Sequence, residues 1–281
     1  MKKGLVLEGG SFRGIFSAGV IDVLMEHGIT FDEAVGVSAG AAFGCNYKSQ
    51  QIGRALRYSM KYCNDTRYRS FLSWFKTGNL YTPDFCYGEV PTLLDPYNME
   101  ASNANPMSFY TVCTDIETGE TIYKEFTDDL QYNLRLIRAS TALPLAAEIV
   151  QIGGKKLMDG GLSDSIPLHF MERMSCQKIV LILTQPQGFI KKKTSLLPFI
   201  HLKYHRYPKL IKLMEERHLK YNKILAYIEQ KEKQGKLFVI RPPYALPISS
   251  MENNPQKIEH VYNIGRRTAI DLIDSLKQYL S

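Results

Sequence analysis

Two patterns of apolar residues alternate along this chain. Residues 4–8 are typical of a buried strand, residues 31–37 can end as a short buried strand, and a helical pattern follows each of them. Further strands are predicted at 107–114, 121–126, 178–184 and 237–240. A Gly153-Gly154 turn is predicted to join 148–152 to 155–158 as a hairpin. Strands that alternate with helices indicate an α/β fold with a mostly parallel sheet.

A serine lies between two glycines directly after the second apolar run. Gly36-Val37-Ser38-Ala39-Gly40 is a G-x-S-x-G pentapeptide at a predicted strand-to-helix turn. Such a turn projects the serine hydroxyl outward at a helix N-terminus, and its glycines permit a tight turn. Ser38 is therefore a candidate nucleophile.

A glycine-rich loop follows the first strand. Residues 9–14 read G-G-S-F-R-G and precede a predicted helix over 15–25. The amides of such a loop can bind a phosphate or the oxyanion of a tetrahedral acyl intermediate, and a plain turn is the structural alternative. A dinucleotide site is disfavoured because Ser11 replaces the middle glycine of G-x-G-x-x-G and no acidic residue follows at the needed spacing. A Walker loop is excluded because G-K-[ST] is absent.

An aspartate followed by two glycines closes the predicted hairpin. Asp159 ends the second hairpin strand, and Gly160 and Gly161 leave room for another group to reach its carboxylate. Asp-Gly also forms ordinary turns, which is the commoner case for this pair alone.

Taken in this order, the three motifs resemble those of the patatin-like phospholipase family. The resemblance covers about residues 3–185 and rests on the loop at 9–14, the serine motif at 36–40 and the D-G-G motif at 159–161. Softer matches are Gly44, Tyr47 and the A-S-T-A-L-P segment at 139–144. Ser11 departs from the family, which usually has a third glycine there, so the loop must accept a residue with a Cβ.

The resemblance implies a three-layer α/β/α sandwich with a mostly parallel central sheet. It also implies a serine acyl-ester hydrolase, a lipid acyl hydrolase of phospholipase type, in which Ser38 is the nucleophile and Asp159 the base, with no histidine. The amides of Gly9, Gly10 and Ser11 would hold the oxyanion. The supporting positions of these motifs are Arg13, Gly14, Gly36, Gly40, Gly160 and Gly161. Arg13 would pack, hold the loop or meet a substrate phosphate.

Three other classes of protein stay open. An α/β-hydrolase with a Ser-His-Asp triad also carries G-x-S-x-G, but it needs a late histidine, for which His260 is the candidate. The N-terminal glycine-rich loop and the Asp159 motif argue against that class. A lipid-binding protein without catalysis would have no need of both Ser38 and Asp159, and a nucleotide-binding protein is the third alternative.

No cofactor or metal is expected. The six histidines are scattered, His201 and His205 have no third ligand nearby, and the five cysteines show no paired spacing. The cysteines are typical of reduced thiols in an intracellular protein. Met1 leads directly into a predicted strand, and no apolar run approaches the length of a membrane span, so we expect a cytoplasmic protein without a leader.

Positive charge is concentrated in the last third of the chain. The net formal charge is +7, whereas residues 189–236 hold thirteen Lys or Arg and four Asp or Glu, a balance of +9. An amphipathic helix is predicted after Pro208, with a stop at Gly235. Its basic side is either simply solvated or in peripheral contact with anionic lipid headgroups of a membrane surface. Nucleic acid is not expected, because reader motifs are absent.

We expect two parts in the chain. Residues 1–185 form the patatin-like acyl hydrolase domain, and residues 186–281 form a C-terminal helical accessory part with the basic amphipathic segment. Between Cys63 and Asn105 lies an aromatic stretch without clear periodicity. An irregular insertion packed on the core is expected there, with the lid or wall of an acyl-binding pocket as the alternative. The oligomeric state is not indicated.

Overall fold

The computed structural model describes residues 1–281, and its centre is a sheet of eight strands. The strands are β1 (Lys3–Leu7), β2 (Glu33–Val37), β3 (Ser108–Asp115), β4 (Thr121–Glu125), β5 (Val150–Ile152), β6 (Lys155–Asp159), β7 (Lys178–Ile182) and β8 (Leu237–Ile240). Their order is β5-β6-β3-β2-β1-β7-β8, with β4 also paired to β3. The pairs β3-β2, β2-β1, β1-β7 and β7-β8 are parallel, and the pairs of β4, β5 and β6 are antiparallel. This confirms the mostly parallel sheet.

Helices cover both faces of the sheet. They are α1 (Gly14–Glu26), α2 (Ala39–Lys48), α3 (Arg54–Tyr62), α4 (Phe71–Thr77), α5 (Met99–Ala104), α6 (Leu130–Ser140), α7 (Leu168–Arg173), α8 (Leu197–Lys203), α9 (Pro208–Lys233) and α10 (Pro255–Leu280). Short 3₁₀ helices lie at Ser11–Arg13 and Gly160–Leu162, and a π-helix spans Phe85–Leu94. None of the helices is both long enough and apolar enough to cross a bilayer.

Alternate residues of the central strands point to opposite faces and so build two separate cores. Leu5 and Leu7 of β1 pack with residues of α1, α2 and α10. Val6, between them, packs on the other face with residues of α7 and α9. A strand with both faces buried is apolar throughout, which is why β1 appears in the sequence as an uninterrupted run. The three-layer α/β/α sandwich is confirmed.

The last third of the chain continues this architecture. Strand β8 pairs in parallel with β7 at the edge of the sheet. Helix α9 turns its apolar residues inward, where Leu210, Leu213 and Tyr221 are buried. Helix α10 packs along α1, and the Tyr262 hydroxyl donates a hydrogen bond to Asp22 across that contact. The central sheet thus includes a strand beyond the domain boundary expected between residues 185 and 186. That boundary stays a prediction.

The aromatic stretch is more ordered than expected. Helices α4 and α5 and the π-helix lie within it, so the expectation of an irregular insertion is wrong in this respect. Its periodicity is hidden because the helices are short and a π-helix repeats with an i→i+5 spacing rather than 3.6 residues per turn.

Candidate active site

Two strands meet end to end along one edge of β3. In the parallel pairing of β2, Val37 lies opposite Val112, and in the antiparallel pairing of β6, Asp159 lies opposite Cys113. Strand β4 pairs with β3 at both positions, so it fills the other edge. Strands β2 and β6 therefore run toward each other along the same edge and stop at consecutive residues of β3. This arrangement brings the residue after Val37, which is Ser38, up to Asp159.

Ser38 and Asp159 form a buried hydrogen-bonded pair. The Ser38 hydroxyl donates to Asp159 Oδ2 over 2.7 Å, and Asp159 Oδ1 accepts the Gly161 amide over 2.7 Å. The exposed fraction is 8% for Ser38 and 1% for Asp159. Ser38 has φ 52° and ψ −119°, a strained conformation for a residue with a Cβ. Strain at a buried, hydrogen-bonded serine is typical of a nucleophile turn.

Ser140 holds the backbone of this turn. The Ser38 amide donates to Ser140 Oγ over 2.9 Å, and the Ser140 hydroxyl donates to the Val112 carbonyl over 2.6 Å. Ser140 ends α6 and is fully buried. Ser140 belongs to the A-S-T-A-L-P segment at 139–144, and the sequence alone assigns it no role. Its place in that segment was the only signal available.

The glycine-rich loop touches the serine turn. A Cβ at Gly9 would stand 3.1 Å from Ser38 Cβ, so the loop backbone passes directly beside the serine. The amides of Gly9 and Gly10 have no hydrogen-bond partner within the protein. Ser11 adopts φ 49°, the left-handed conformation that a glycine takes easily. The replacement of glycine by Ser11 is therefore accommodated with some backbone strain.

The remaining motif residues surround the pair. Gly36 lies in β2, and Gly14 and Gly40 lie in the first turns of α1 and α2. Gly160 must be a glycine, because a Cβ there would stand 2.3 Å from the Val112 carbonyl oxygen. Arg13 ends the 3₁₀ turn of the loop, and its Nε is buried without a hydrogen-bond partner.

An apolar cavity of about 190 Å³ opens at Ser38. Its lining is mostly hydrophobic and includes Ser11, Ser38 and side chains of α2 and α6. The aromatic stretch supplies Tyr68, Tyr81, Tyr87 and Tyr97. Apolar walls with a few polar groups at one end are typical of sites for acyl chains and similar ligands. The aromatic stretch between Cys63 and Asn105 therefore forms part of the wall of a pocket, as the alternative prediction for it stated.

Burial raises the pKa of the Asp159 carboxyl above its ordinary value. The guanidinium of Arg217, the hydrogen bond from Ser38 and the Gly161 amide act against this rise, as does the ammonium of Lys191. Arg217 lies in α9, and its Nε donates to the Gly161 carbonyl over 2.7 Å. In the sequence, Arg217 and Lys191 are only two of the cations of the basic segment at 189–236, and no motif connects them with Asp159.

Histidines take no part in this hydrogen-bond network. His169 is exposed on α7 with Nδ1 2.9 Å from a Glu172 oxygen, and His260 is exposed on α10. The hydroxyl of Ser38 donates to Asp159, and neither of the two residues bonds to an imidazole. No group of three or more His, Cys, Asp or Glu side chains has the arrangement of a metal site.

The fold and the site together define the class of this protein. It is a three-layer α/β/α protein in which a serine on a strand-to-helix turn donates a hydrogen bond to an aspartate beside an apolar cavity. The family model described as "Patatin-like phospholipase" matches residues 5–171, more than half of the chain, so the chain belongs to the patatin-like phospholipase family. Membership supports a phospholipase-type function on lipid acyl esters. A second model, "Domain of unknown function (DUF6363)", matches residues 207–281.

Similar proteins include bacterial and yeast sequences. The chain is 29% identical to "Uncharacterized protein YjjU" of Escherichia coli K12, over 93% of this chain and 74% of that protein. It is 29% identical to "Lysophospholipase NTE1" of Saccharomyces cerevisiae, over 64% of this chain and 10% of that protein. The chain thus spans about a tenth of the yeast relative's length. A solved structure, VipD from Legionella pneumophila, aligns with a TM-score of 0.46 at 14% identity over 98% of this chain and 67% of that chain.

Proposed function

We propose that this protein hydrolyses carboxylic ester bonds of lipids through an acyl-enzyme on Ser38, with Asp159 as the base. The observation that carries the proposal is the 2.7 Å hydrogen bond from the Ser38 hydroxyl to Asp159 Oδ2 in a buried site beside an apolar cavity. A positioned base and a nucleophile within hydrogen-bonding distance are what nucleophilic catalysis requires.

The reaction divides into two similar halves. Asp159 takes the Ser38 proton as Oγ bonds to the carbonyl carbon, and the carbonyl oxygen becomes an oxyanion. Collapse of this intermediate breaks the bond to the alcohol, which leaves with the proton from Asp159. Water then gives a proton to Asp159 and attacks the acyl carbon, and Ser38 regains a proton as the fatty acid leaves.

The glycine-rich loop is the proposed oxyanion site. The free amides of Gly9 and Gly10 lie in a loop that contacts Ser38, and the Ser11 amide follows them. Amides that are already oriented stabilise a developing oxyanion without reorganisation. The apolar cavity, which Ser11 and Ser38 both line, would hold the acyl chain.

The substrate class draws support from the relatives. The yeast relative is named a lysophospholipase, and the region shared with it covers 64% of this chain. The shared region is only 10% of the yeast protein, whose name describes the whole of that protein. A lysophospholipid substrate for the present chain is therefore part of our proposal. The cavity, which is walled by tyrosines and aliphatic residues, suits one acyl chain.

Fluorophosphonate labelling tests the proposal directly. The reagent phosphonylates activated serines, so mass spectrometry of the labelled protein should find the adduct on the peptide that contains Ser38. Ser38→Ala should abolish labelling. Labelling of another serine, or none at concentrations that label known serine hydrolases, would contradict the assignment.

We also propose that the mouth of the cavity rests on a membrane. An apolar rim formed by Phe71, Phe75, Phe199 and Leu202 is strongly exposed on α4 and α8. Both helices attach to Leu145: the Trp74 indole donates to its carbonyl, and its amide donates to the Tyr204 hydroxyl. The neighbouring residues Leu143, Ala146 and Ala147 line the cavity, so the rim adjoins its wall.

Charge beside the apolar rim favours an anionic lipid surface. Lys76 on α4 and Arg206 and Lys209 near α8 are exposed and form no ion pair. Apolar side chains bordered by cations are typical of peripheral membrane contacts. The apolar side of α9 is buried in the core, so only its basic side could add to this surface. The cytoplasmic location expected from the sequence stays a prediction.

A further inference from the structure

Helix α9 lies outside the patatin-like region of the chain and still contacts the active site at two points. Its residues, Pro208–Lys233, belong to the segment 207–281 that the second family model matches, a domain of unknown function. Arg217 and Tyr221 are separated by four positions, so they lie one turn apart on the same side of this helix. Each of them bonds to a different half of the active site.

Arg217 bonds to the turn that follows the proposed base. Its Nε donates to the Gly161 carbonyl over 2.7 Å, and the Gly161 amide donates to Asp159 Oδ1 over the same distance. A Cβ at Gly161 would stand 3.1 Å from Arg217 Nη2, so the guanidinium lies directly against this glycine. Arg217 therefore restrains the residue whose amide holds the Asp159 carboxylate.

Tyr221 bonds to the residue that precedes the glycine-rich loop. Its hydroxyl donates to Glu8 Oε1, and the Thr184 amide donates to Glu8 Oε2 over 2.6 Å. Both Glu8 and Tyr221 are buried. Burial raises the pKa of the Glu8 carboxyl, and the hydrogen bonds from Thr184 and Tyr221 act against that rise. Because a buried carboxylate needs a donor at each oxygen, the position of Glu8 depends on these two bonds.

The proposed oxyanion amides begin at the next residue. Gly9 follows Glu8 directly, and a Cβ at Gly9 would stand 3.1 Å from Ser38 Cβ. A Cβ at Gly10 would stand 2.7 Å from Thr184 Oγ1, so the second donor to Glu8 also touches the loop. A shift of Glu8 would therefore move the loop amides relative to Ser38.

The position of α9 is itself fixed beside these two residues. The Lys191 amide donates to Asn222 Oδ1 over 2.8 Å, and Asn222 Nδ2 donates back to the Lys191 carbonyl over 3.0 Å. The Phe189 ring packs edge-on against the Tyr221 ring, with 6.0 Å between the ring centres. These contacts restrain α9, so Arg217 and Tyr221 keep facing the site.

We propose that Arg217 and Tyr221 are positioning residues and that the segment 207–281 completes the active site through them. Arg217 holds the base, and Tyr221 holds the oxyanion loop through Glu8; we call these two contacts the α9 brace. Neither Arg217 nor Tyr221 lines the apolar cavity, so neither is placed to bind the acyl chain. The inference rests on the proposed hydrolysis, in which base and oxyanion amides must both be fixed relative to Ser38. A misplacement of about 1 Å in such a site costs about a hundredfold in rate.

The first experiment removes only the Tyr221 hydroxyl. Tyr221→Phe keeps the ring, and we expect kcat on nitrophenyl decanoate to fall about tenfold to a hundredfold while KM stays within about twofold, because the loop amides act on the transition state rather than on the bound ester. The matched control is Tyr227→Phe, which removes a hydroxyl of the same helix that donates to Glu172, and it should keep both constants. A wild-type kcat in Tyr221→Phe, or an equal loss in Tyr227→Phe, would overturn the proposal.

A pair of ketones separates loss of positioning from a general loss of structure. With a decyl trifluoromethyl ketone, Ser38 Oγ bonds to the carbonyl carbon, the Ser38 proton passes to Asp159, and the carbonyl oxygen becomes an oxyanion. The corresponding methyl ketone lacks the activating fluorines and binds without this adduct. Tyr221→Phe should raise the inhibition constant of the trifluoromethyl ketone by about the factor by which kcat/KM falls, and should leave that of the methyl ketone unchanged. Equal rises for both ketones would show a merely structural role.

Amide hydrogen exchange tests the α9 brace without catalysis. Tyr221→Phe should speed exchange in the segment 8–14, and Arg217→Met should speed it in the segment 159–164, because each segment loses one of its anchors. Tyr227→Phe should speed exchange in neither segment. Unchanged exchange in either variant's own segment would overturn the brace. Faster exchange in both, in a protein whose ester hydrolysis survives Ser38→Ala, would support the brace and contradict the proposed function.

Discussion

Ser38 and Asp159 are 121 residues apart in the chain and share a 2.7 Å hydrogen bond because two strands stop against consecutive residues of a third. Strand β2 ends opposite Val112, and β6 ends opposite Cys113. The separation of the two side chains is thus set by the backbone register of a buried sheet rather than by loops. Sites on such elements keep their geometry more closely than sites on loops.

Replacing the proposed nucleophile should stop the reaction and leave the fold intact. Ser38→Ala is expected to lower kcat on nitrophenyl esters by about three to six orders of magnitude, because no other group can form the acyl-enzyme. Alanine keeps the Cβ and with it the strained φ, so the substitution removes only the hydrogen bond to Asp159 and should change the melting temperature by no more than about a few degrees. Ser195→Ala, at an exposed serine, is the matched control. Wild-type rates in Ser38→Ala would rule out the assignment.

Asp159→Asn separates the role of the base from that of a structural hydrogen bond. The amide keeps the shape and can still accept the Gly161 amide, but it cannot take the Ser38 proton, so we expect a loss of at least about a thousandfold in kcat. Burial raises the pKa of Asp159 in the folded state, so the ionised carboxylate costs stability above that pKa. Thermal unfolding at pH 7 should therefore show Asp159→Asn to be at least as stable as the wild type. Clear destabilisation would argue for a structural role.

Arg217 should set the acid limb of the pH profile. The base works as the carboxylate, so kcat/KM falls as the pH drops through the pKa of Asp159, which lies above the ordinary value. The guanidinium favours the carboxylate, so Arg217→Gln should raise that pKa further and move the limb to higher pH. The profile is measured on nitrophenyl esters. Lys223→Gln, which removes an exposed cation from the same helix, should leave the limb in place. If the acid limb of the kcat/KM profile lies at the same pH in Arg217→Gln as in the wild type, Arg217 does not lower the pKa of Asp159.

Loss of any one histidine should be tolerated. Single replacements are made at His27, His169, His201, His205, His218 and His260. Each should keep kcat/KM within about tenfold, a barrier change near 1.4 kcal/mol, because neither Ser38 nor Asp159 bonds to an imidazole. A triad enzyme would lose several orders of magnitude at one of them. One folded variant with that loss would return the protein to the α/β-hydrolase class.

The apolar rim should drive binding to vesicles. Phe75→Ser combined with Leu202→Ser removes two exposed side chains and should weaken sedimentation with phosphatidylglycerol vesicles by about tenfold, since each loses its burial in the lipid interface. Binding should fall with added salt and should be weaker to phosphatidylcholine. Ile270→Ser, at an exposed position on α10, is the control. Equal binding of the double variant and the wild type would show that the rim does not contact lipid.

Local pattern was enough to identify most of the sheet and the three motifs. Strands β1, β2, β3 and β7 are rich in apolar residues because both of their faces are buried, and each is recognisable in the sequence for that reason. Ser38 and Asp159 were recognisable because each lies at a strand end beside glycines, and such positions have a chemical signature within a few residues. The cavity wall is harder to recognise in the sequence, because a π-helix hides the periodicity of the aromatic stretch.

Only the tertiary structure shows which basic residues reach the site. Helical periodicity predicted that α9 has an apolar and a basic side. Arg217 lies on the apolar side, in line with Leu213 and Tyr221, and bonds to Gly161, 56 residues away. Lys191 depends in the same way on the clamp by Asn222. A charge on the surface and a charge beside a carboxylate look alike in a sequence, because the difference lies in burial and distance, and the packing of distant segments determines both.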